Sequence, residues 1–113
     1  MREAAIQRRI KTWLERLPYG FRVRKLADRY TRGYPDLQVI GVTPDGHLFL
    51  LEIEVKQPNG KVSPVQEVER DRMTTALRTM RQATTGGGGR AALIVATCVN
   101  EVRPILEKWG FQL

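Results

Sequence analysis

The sequence predicts an α/β fold, with a central mixed sheet flanked by helices, in the element order αβββαβα and as a single domain over residues 1–113. Three observations support it. An amphipathic helix pattern opens the chain, two strand patterns flank a turn at residues 43–46, and an uninterrupted apolar run covers residues 91–97. A length of 113 residues suits one domain rather than two.

The first helix is indicated by apolar residues at helical spacing. They are Ile6, Ile10, Trp13, Leu14 and Leu17. Pro18 and Gly20 end the pattern, because proline cannot continue a helix and glycine permits a turn. Residues 21–24 then alternate apolar and basic side chains, which predicts a short strand.

A β-hairpin is predicted next. Residues 37–42 are rich in branched side chains, and residues 47–56 have a second strand pattern. Between them, Pro44 presets one backbone dihedral of a turn and Gly46 tolerates a positive φ.

The second half of the chain predicts two helices around one strand. Residues 64–82 have a helical apolar stripe, and the glycines at 86–89 indicate a linker, since they lack the Lys-Ser or Lys-Thr of a phosphate-binding loop. The apolar run at 91–97 is typical of a strand covered on both faces, with Cys98 expected to be buried at its end. A last helix is predicted from about residue 100 to 110.

The chain is basic, and its excess charge lies near the start. Nineteen Lys and Arg against 12 Asp and Glu give a net charge of +7. Residues 1–32 hold ten basic and three acidic side chains, whereas residues 33–113 hold nine of each. Such a domain favours a polyanionic partner, either nucleic acid or an anionic membrane surface, although basic surfaces also serve solubility.

The composition of the chain argues against several other classes of protein. A chain that is 42% hydrophobic and 27% charged is unlike a disordered tail or a fibre. No apolar run approaches the roughly 18 residues of a membrane span, and no apolar signal core follows Met1. A lone cysteine cannot form an internal disulfide, so we expect a reduced, cytoplasmic setting.

The residues that are candidates for catalysis lie in the predicted hairpin. Because side chains alternate along a strand, Glu52, Glu54 and Lys56 share one face. Asp36 opens the preceding strand, so pairing of the two strands brings it near Glu54 and Lys56.

Two converging carboxylates repel each other unless a cation lies between them, and oxygen ligands of this kind suit Mg²⁺ or Mn²⁺. A neighbouring lysine can orient a water molecule and stabilise charge on a phosphate, as phosphodiester hydrolysis requires. The alternative is structural: an acid–acid–base alternation can be a solvated strand face, and Pro-Asp often opens a turn.

These residues resemble the motif of the PD-(D/E)XK nuclease superfamily, and within it the chain is similar to small stand-alone VRR-NUC proteins of bacteria and phages. Pro35-Asp36 matches the PD element, Glu54-Val55-Lys56 matches the (D/E)XK element, and Gly33 fits as the glycine two residues before Pro35. The predicted element order also fits, so the resemblance covers nearly the whole chain and implies a restriction-endonuclease-like fold.

The resemblance implies a role for each matching residue. Asp36 and Glu54 would bind Mg²⁺ or Mn²⁺ with the backbone carbonyl of Val55, and Lys56 would position the attacking water. Glu3 would bind the metal through water, or it is simply a first-turn acid that complements the helix dipole.

Two further residues have more than one possible role. Gln66 would support the lysine or a phosphate, or it is an ordinary exposed helix residue. Glu52 departs from the family pattern, where relatives are often apolar or variable. It is an extra ligand, an outer acid, or the ion-pair partner of an arginine, and we favour the last two.

The implied function is that of a metal-dependent, structure-specific DNA endonuclease acting on branched or structured duplex. The family suggests a homodimeric four-way (Holliday) junction resolvase in a bacterial or phage-infected cell. The alternatives are a DNA-binding or assembly module without turnover and a sequence-specific restriction-type nuclease. The basic residues expected to contact phosphates are Arg8, Arg9, Lys11, Arg22, Arg24, Lys25, Arg29 and Arg32.

Overall fold

A computed structural model of the protein describes residues 2–26, 36–58 and 90–113. The elements are α1 (Glu3–Arg16), β1 (Arg22–Lys25), β2 (Leu37–Val42), β3 (Leu48–Val55), β4 (Arg90–Ala96) and α2 (Val99–Lys108). They follow the predicted order; the helix predicted at residues 64–82 and the glycines at 86–89 lie outside the described residues. No helix within the described parts is long and apolar enough to cross a membrane.

The strands form the predicted mixed sheet, in the order β1-β2-β3-β4. The first two pairings are antiparallel and the third, between β3 and β4, is parallel. The turn between β2 and β3 uses Gly46 at φ +89°, with its N–H donating to the Thr43 carbonyl at 2.9 Å. This turn sets the register from Val42 opposite Leu48 to Leu37 opposite Ile53, so the predicted hairpin is confirmed.

One face of the sheet carries the core, and the two helices of the described residues pack against it. In α1, Ile6, Ile10 and Leu14 are buried, as the helical spacing predicted. The C-terminal apolar residues belong to the same core. Val102, Leu106 and Phe111 are buried in it and are therefore not available for contact with a partner.

The structure departs from two expectations around β4. Residues 92–95 are only half-buried, because β4 is the last strand of the sheet within the described residues. Cys98 is exposed rather than buried, since the chain turns out of the sheet there and Cys98 becomes the N-cap of α2.

Gly41 marks a close approach between β2 and the aromatic core. A Cβ atom at this position would lie 2.6 Å from a ring carbon of Phe49 and 2.9 Å from a ring carbon of Phe21. We therefore expect Gly41→Ala to lower the free energy of unfolding by about 1–3 kcal/mol, measured by urea denaturation. Adding Phe49→Leu to this variant should recover part of the lost free energy of unfolding, because the smaller side chain relieves the overpacking. If Gly41→Ala were as stable as wild type, the close packing would be contradicted.

Candidate active site

Asp36 lies directly before β2 and is fixed against the end of β3. Its backbone N–H donates to the Ile53 carbonyl at 2.9 Å, and its own carbonyl accepts from the Leu26 N–H at 2.9 Å. Its carboxylate Oδ2 accepts a hydrogen bond from the Val55 N–H at 2.7 Å. The two halves of the predicted motif therefore meet, although they are distant in sequence.

The acidic and basic motif residues are buried at the end of β3. Glu52 and Glu54 are each 2% exposed and Lys56 is 8% exposed. Lys56 follows the last residue of β3, and its backbone N–H donates to the Ala96 carbonyl of β4 at 3.0 Å. Hydrogen bonds on both sides thus hold the backbone of the Glu54-Val55-Lys56 segment, which limits the movement of its side chains.

Two side chains from the start of α1 also reach this region. Glu3 Oε1 lies 4.0 Å from Lys56 Nζ, so the predicted helix acid reaches the motif lysine. One turn further along, Gln7 Nε2 donates to the Asp36 carbonyl at 3.4 Å. The sequence reasoning missed Gln7; the signal was its position four residues after Glu3, which places both on one face of a helix.

The environment of Asp36 raises the pKa of its carboxyl above the usual value. Burial raises the pKa of the Asp36 carboxyl, and the hydrogen bond from Val55 opposes this rise. The nearby carboxylate of Glu3 raises the pKa further, whereas Lys56 and Lys25 lower it, and the net direction is upward. A bound cation would favour the ionised carboxylate, so this arrangement is compatible with a metal ligand.

Glu52 has an amide partner rather than the expected arginine. Gln38 Nε2 donates to Glu52 Oε1 at 3.0 Å, across the register pair of β2 and β3. The other oxygen, Oε2, is buried and has no hydrogen-bond partner among the described residues. Burial raises the pKa of Glu52, and the Gln38 hydrogen bond acts in the opposite direction. The arginine ion pair is therefore not found in the described parts of the chain.

The donor atoms available to a metal are all oxygens. Within residues 2–26, 36–58 and 90–113, no three or more His, Cys, Asp or Glu side chains form a group that could hold a metal ion. The candidate set is instead the carboxylates of Asp36 and Glu54 with the carbonyl of Val55. In a strand the N–H and C=O of one residue point to the same side, so this carbonyl faces the side of Asp36. Oxygen donors of this type fit Mg²⁺ or Mn²⁺.

The predicted DNA-binding residues are mostly exposed where they are described. Five of them are exposed: Arg8, Arg9, Arg22, Arg24 and Lys25. Lys11 is half-buried, and its ammonium lies 3.2 Å from the Glu15 carboxylate, which offsets its charge. Arg29, Arg32 and Gln66 lie outside the described residues, as do Gly33 and Pro35 of the motif.

A cavity of about 360 Å³ lies beside the end of the motif strand. Its lining residues are Ile6, Arg9, Pro58, Thr97, Cys98, Val99 and Asn100. Arg9 thus lines a concave surface next to the segment that follows Lys56.

The chain is similar to solved structures that carry the VRR_NUC name. No family model and no curated protein matches the sequence. A solved structure named "VRR_NUC domain" is 30% identical, with a TM-score of 0.56, and the match covers 93% of this chain and 94% of that one. A second, named "VRR_NUC domain protein", is 18% identical with a TM-score of 0.63, covering 97% of this chain and 88% of that one, and it shows similarity of fold.

Proposed function

Because the chain belongs to the VRR-NUC family, which has a PD-(D/E)XK-like nuclease fold, we propose that it is a metal-dependent DNA endonuclease. The observation that supports this most is the 2.7 Å hydrogen bond from the Val55 N–H to Asp36 Oδ2. It joins the aspartate of one motif element to the backbone of the other, in a partly buried setting that limits the mobility of both.

The proposed metal ligands are Asp36, Glu54 and the carbonyl of Val55, with Mg²⁺ or Mn²⁺ as the ion. When bound, the ion would lower the pKa of a water molecule and neutralise charge on the phosphate. The hydrogen bond from the Val55 N–H to Oδ2 would position Asp36 for this role, and Oδ1 is the oxygen that could then contact the ion.

Lys56 is the proposed residue that orients the attacking water and stabilises negative charge on the phosphate. Its ammonium is 4.0 Å from the Glu3 carboxylate, an ion pair that limits its conformations. Glu3 would also reach the metal through water, and Gln66 would support the lysine or a phosphate. Gln7 would act indirectly, by positioning the backbone of Asp36.

We further propose that the substrate is branched DNA and that the enzyme acts as a homodimer on four-way junctions. The exposed arginines of α1 and β1 suit phosphate contacts, which are independent of base sequence and sensitive to salt. A site with one set of motif residues per chain requires two chains to cut both strands of a junction symmetrically.

Cleavage assays test the proposal. Labelled four-way junction, flap and linear duplex are incubated with the full chain, with and without Mn²⁺, and the nicks are mapped. We expect paired nicks in the junction that require metal, little cleavage of linear duplex, and junction binding that weakens about tenfold or more between 50 and 200 mM salt.

Other outcomes contradict particular parts of the proposal. Salt-sensitive binding without nicking in Mg²⁺ or Mn²⁺ identifies a DNA-binding module without turnover. Cuts at one base sequence in linear duplex identify a restriction-type nuclease. A monomer by light scattering, both free and on the junction, excludes the dimeric resolvase.

A further inference from the structure

The cavity of about 360 Å³ adjoins the motif segment on several sides. Pro58 in its lining is two residues past Lys56, and two residues of extended chain span about 7 Å at most. Thr97 in its lining follows Ala96, whose carbonyl accepts the hydrogen bond from the Lys56 N–H. Ile6 belongs to α1, whose first residue is the glutamate near the lysine ammonium. A group bound in the cavity would therefore lie next to the proposed point of cleavage.

The lining combines aliphatic walls with polar groups at the rim. Ile6, Pro58 and Val99 supply the aliphatic surface. The carboxamide of Asn100 can donate and accept hydrogen bonds, and the exposed Arg9 carries a positive charge. Pockets of about 300–1,000 Å³ with largely apolar walls and a few polar groups are typical of small-ligand sites. A nucleobase, with apolar faces and a polar edge, matches the interior, and an arginine at the rim suits its phosphate.

The charge at the start of α2 favours an uncharged group inside the cavity. Glu101 Oε1 accepts a hydrogen bond from the Thr97 N–H at 3.0 Å and lies 3.7 Å from Cys98 Sγ. This carboxylate is in the first turn of α2, where a negative charge offsets the helix dipole. A phosphate at this end of the cavity would be repelled by the carboxylate, whereas a neutral base would not. The base is therefore expected inside and the phosphate at Arg9.

We propose that this cavity binds one unpaired nucleotide of the DNA, with the base between α1 and α2 and the phosphate at Arg9. The inference rests on the proposed function for the identity of the polymer. It narrows the substrate to branched or structured DNA with an unpaired nucleotide beside the cleaved bond. A paired base must first leave the stack, which costs free energy, so a fully paired duplex is a poorer ligand.

The test measures binding by the full chain in EDTA to two duplexes that contain 2-aminopurine, either as a single bulged nucleotide or paired with thymine. Stacking between bases quenches the fluorescence of this analogue, which recovers when the base leaves the stack. None of the described lining residues is aromatic, so we expect a several-fold rise with the bulged duplex. Its affinity should exceed that of the paired duplex by about tenfold or more.

Cys98 allows the cavity to be blocked reversibly. It is the one cysteine in the sequence, it is exposed, and it lines the cavity. Butyl methanethiosulfonate forms a mixed disulfide with its sulfur and releases methanesulfinate, and dithiothreitol restores the thiol. We expect the modified chain to lose both the fluorescence rise and the preference for bulged DNA. Recovery of both after reduction would show that the modified chain had remained folded.

Arg9→Ala should also reduce the preference for the bulged duplex, because it removes the proposed phosphate contact. Arg16→Ala is the matched control and should retain the preference. It removes the same charge from an exposed position on α1, outside the described lining of the cavity and outside the set of expected phosphate contacts.

Equal affinity for the bulged and paired duplexes, or a fluorescence rise that persists in the modified chain, would overturn the inference. A rise with free 2-aminopurine deoxyribonucleoside monophosphate at lower concentrations than with the bulged duplex would overturn the assignment to a DNA strand. Failure of the proposed function looks different, because these measurements need no metal. A preference for bulged DNA that is lost on modification, without nicking in Mn²⁺, would support the cavity and count against the nuclease.

Discussion

Lys56→Ala is expected to lower the single-turnover rate of DNA cleavage by about 10²- to 10⁴-fold while leaving junction affinity within a few-fold of wild type. The reason is that the proposed role of the ammonium is at the reacting phosphate and water, whereas the proposed phosphate contacts for binding are distributed over the exposed arginines. The two quantities are measured by quenched cleavage time courses and by gel shift in EDTA. Lys108→Ala, which removes an exposed cation from the last turn of α2, is the matched control and should cleave normally.

Asp36→Asn provides an independent check of the same site. The amide retains the size of the side chain and can still accept the hydrogen bond from the Val55 N–H, so folding should be preserved. It loses the negative charge that would hold the proposed ion, and we expect a cleavage rate at least as low as that of Lys56→Ala. Wild-type cleavage by either variant would refute the assignment of the active site.

Leu14→Ala is expected to produce the largest loss of stability. Leu14 is fully buried, on the face of α1 that packs against the sheet, and the truncation leaves a cavity there. The free energy of unfolding should fall by about 2–5 kcal/mol, which lowers the melting temperature by roughly 10–20 °C. Calorimetry measures the effect.

Arg16→Ala is the control for this substitution, because Arg16 is an exposed residue of the same helix. It should change stability by less than about 0.5 kcal/mol. If Leu14→Ala changed the free energy of unfolding as little as Arg16→Ala, the described packing of α1 on the sheet would be contradicted. Because α1 also carries Glu3 and Gln7, the cleavage rate of Leu14→Ala should be compared only at temperatures where the variant is folded.

The meeting of Asp36 with the end of β3 could be predicted because local chemistry determines it. Pro44 and Gly46 specify the turn, the turn specifies the register of β2 and β3, and alternation then assigns each side chain to a face. The bounds of β2 matched the predicted residues 37–42 for the same reason. This part of the site needs no knowledge of how distant elements pack.

The contacts of Gln7 and Gln38 could not be predicted in the same way. Gln7 reaches Asp36 only because α1 packs across the sheet at a particular position, which depends on the shape of the whole core. Gln38 lies opposite Glu52 in the register that the turn specifies, but the hydrogen bond between the two side chains depends on their rotamers, which the strand pattern does not specify. Cys98 was placed wrongly because an apolar run does not indicate where the chain leaves the sheet.

The exposure of Cys98 has a practical consequence. It is the one cysteine in the sequence, so a maleimide dye would attach at a single position without mutagenesis. That position lines the cavity with Arg9 and Pro58, beside the end of the motif strand. A fluorophore there would report the arrival of a labelled oligonucleotide by energy transfer, in real time and on individual molecules.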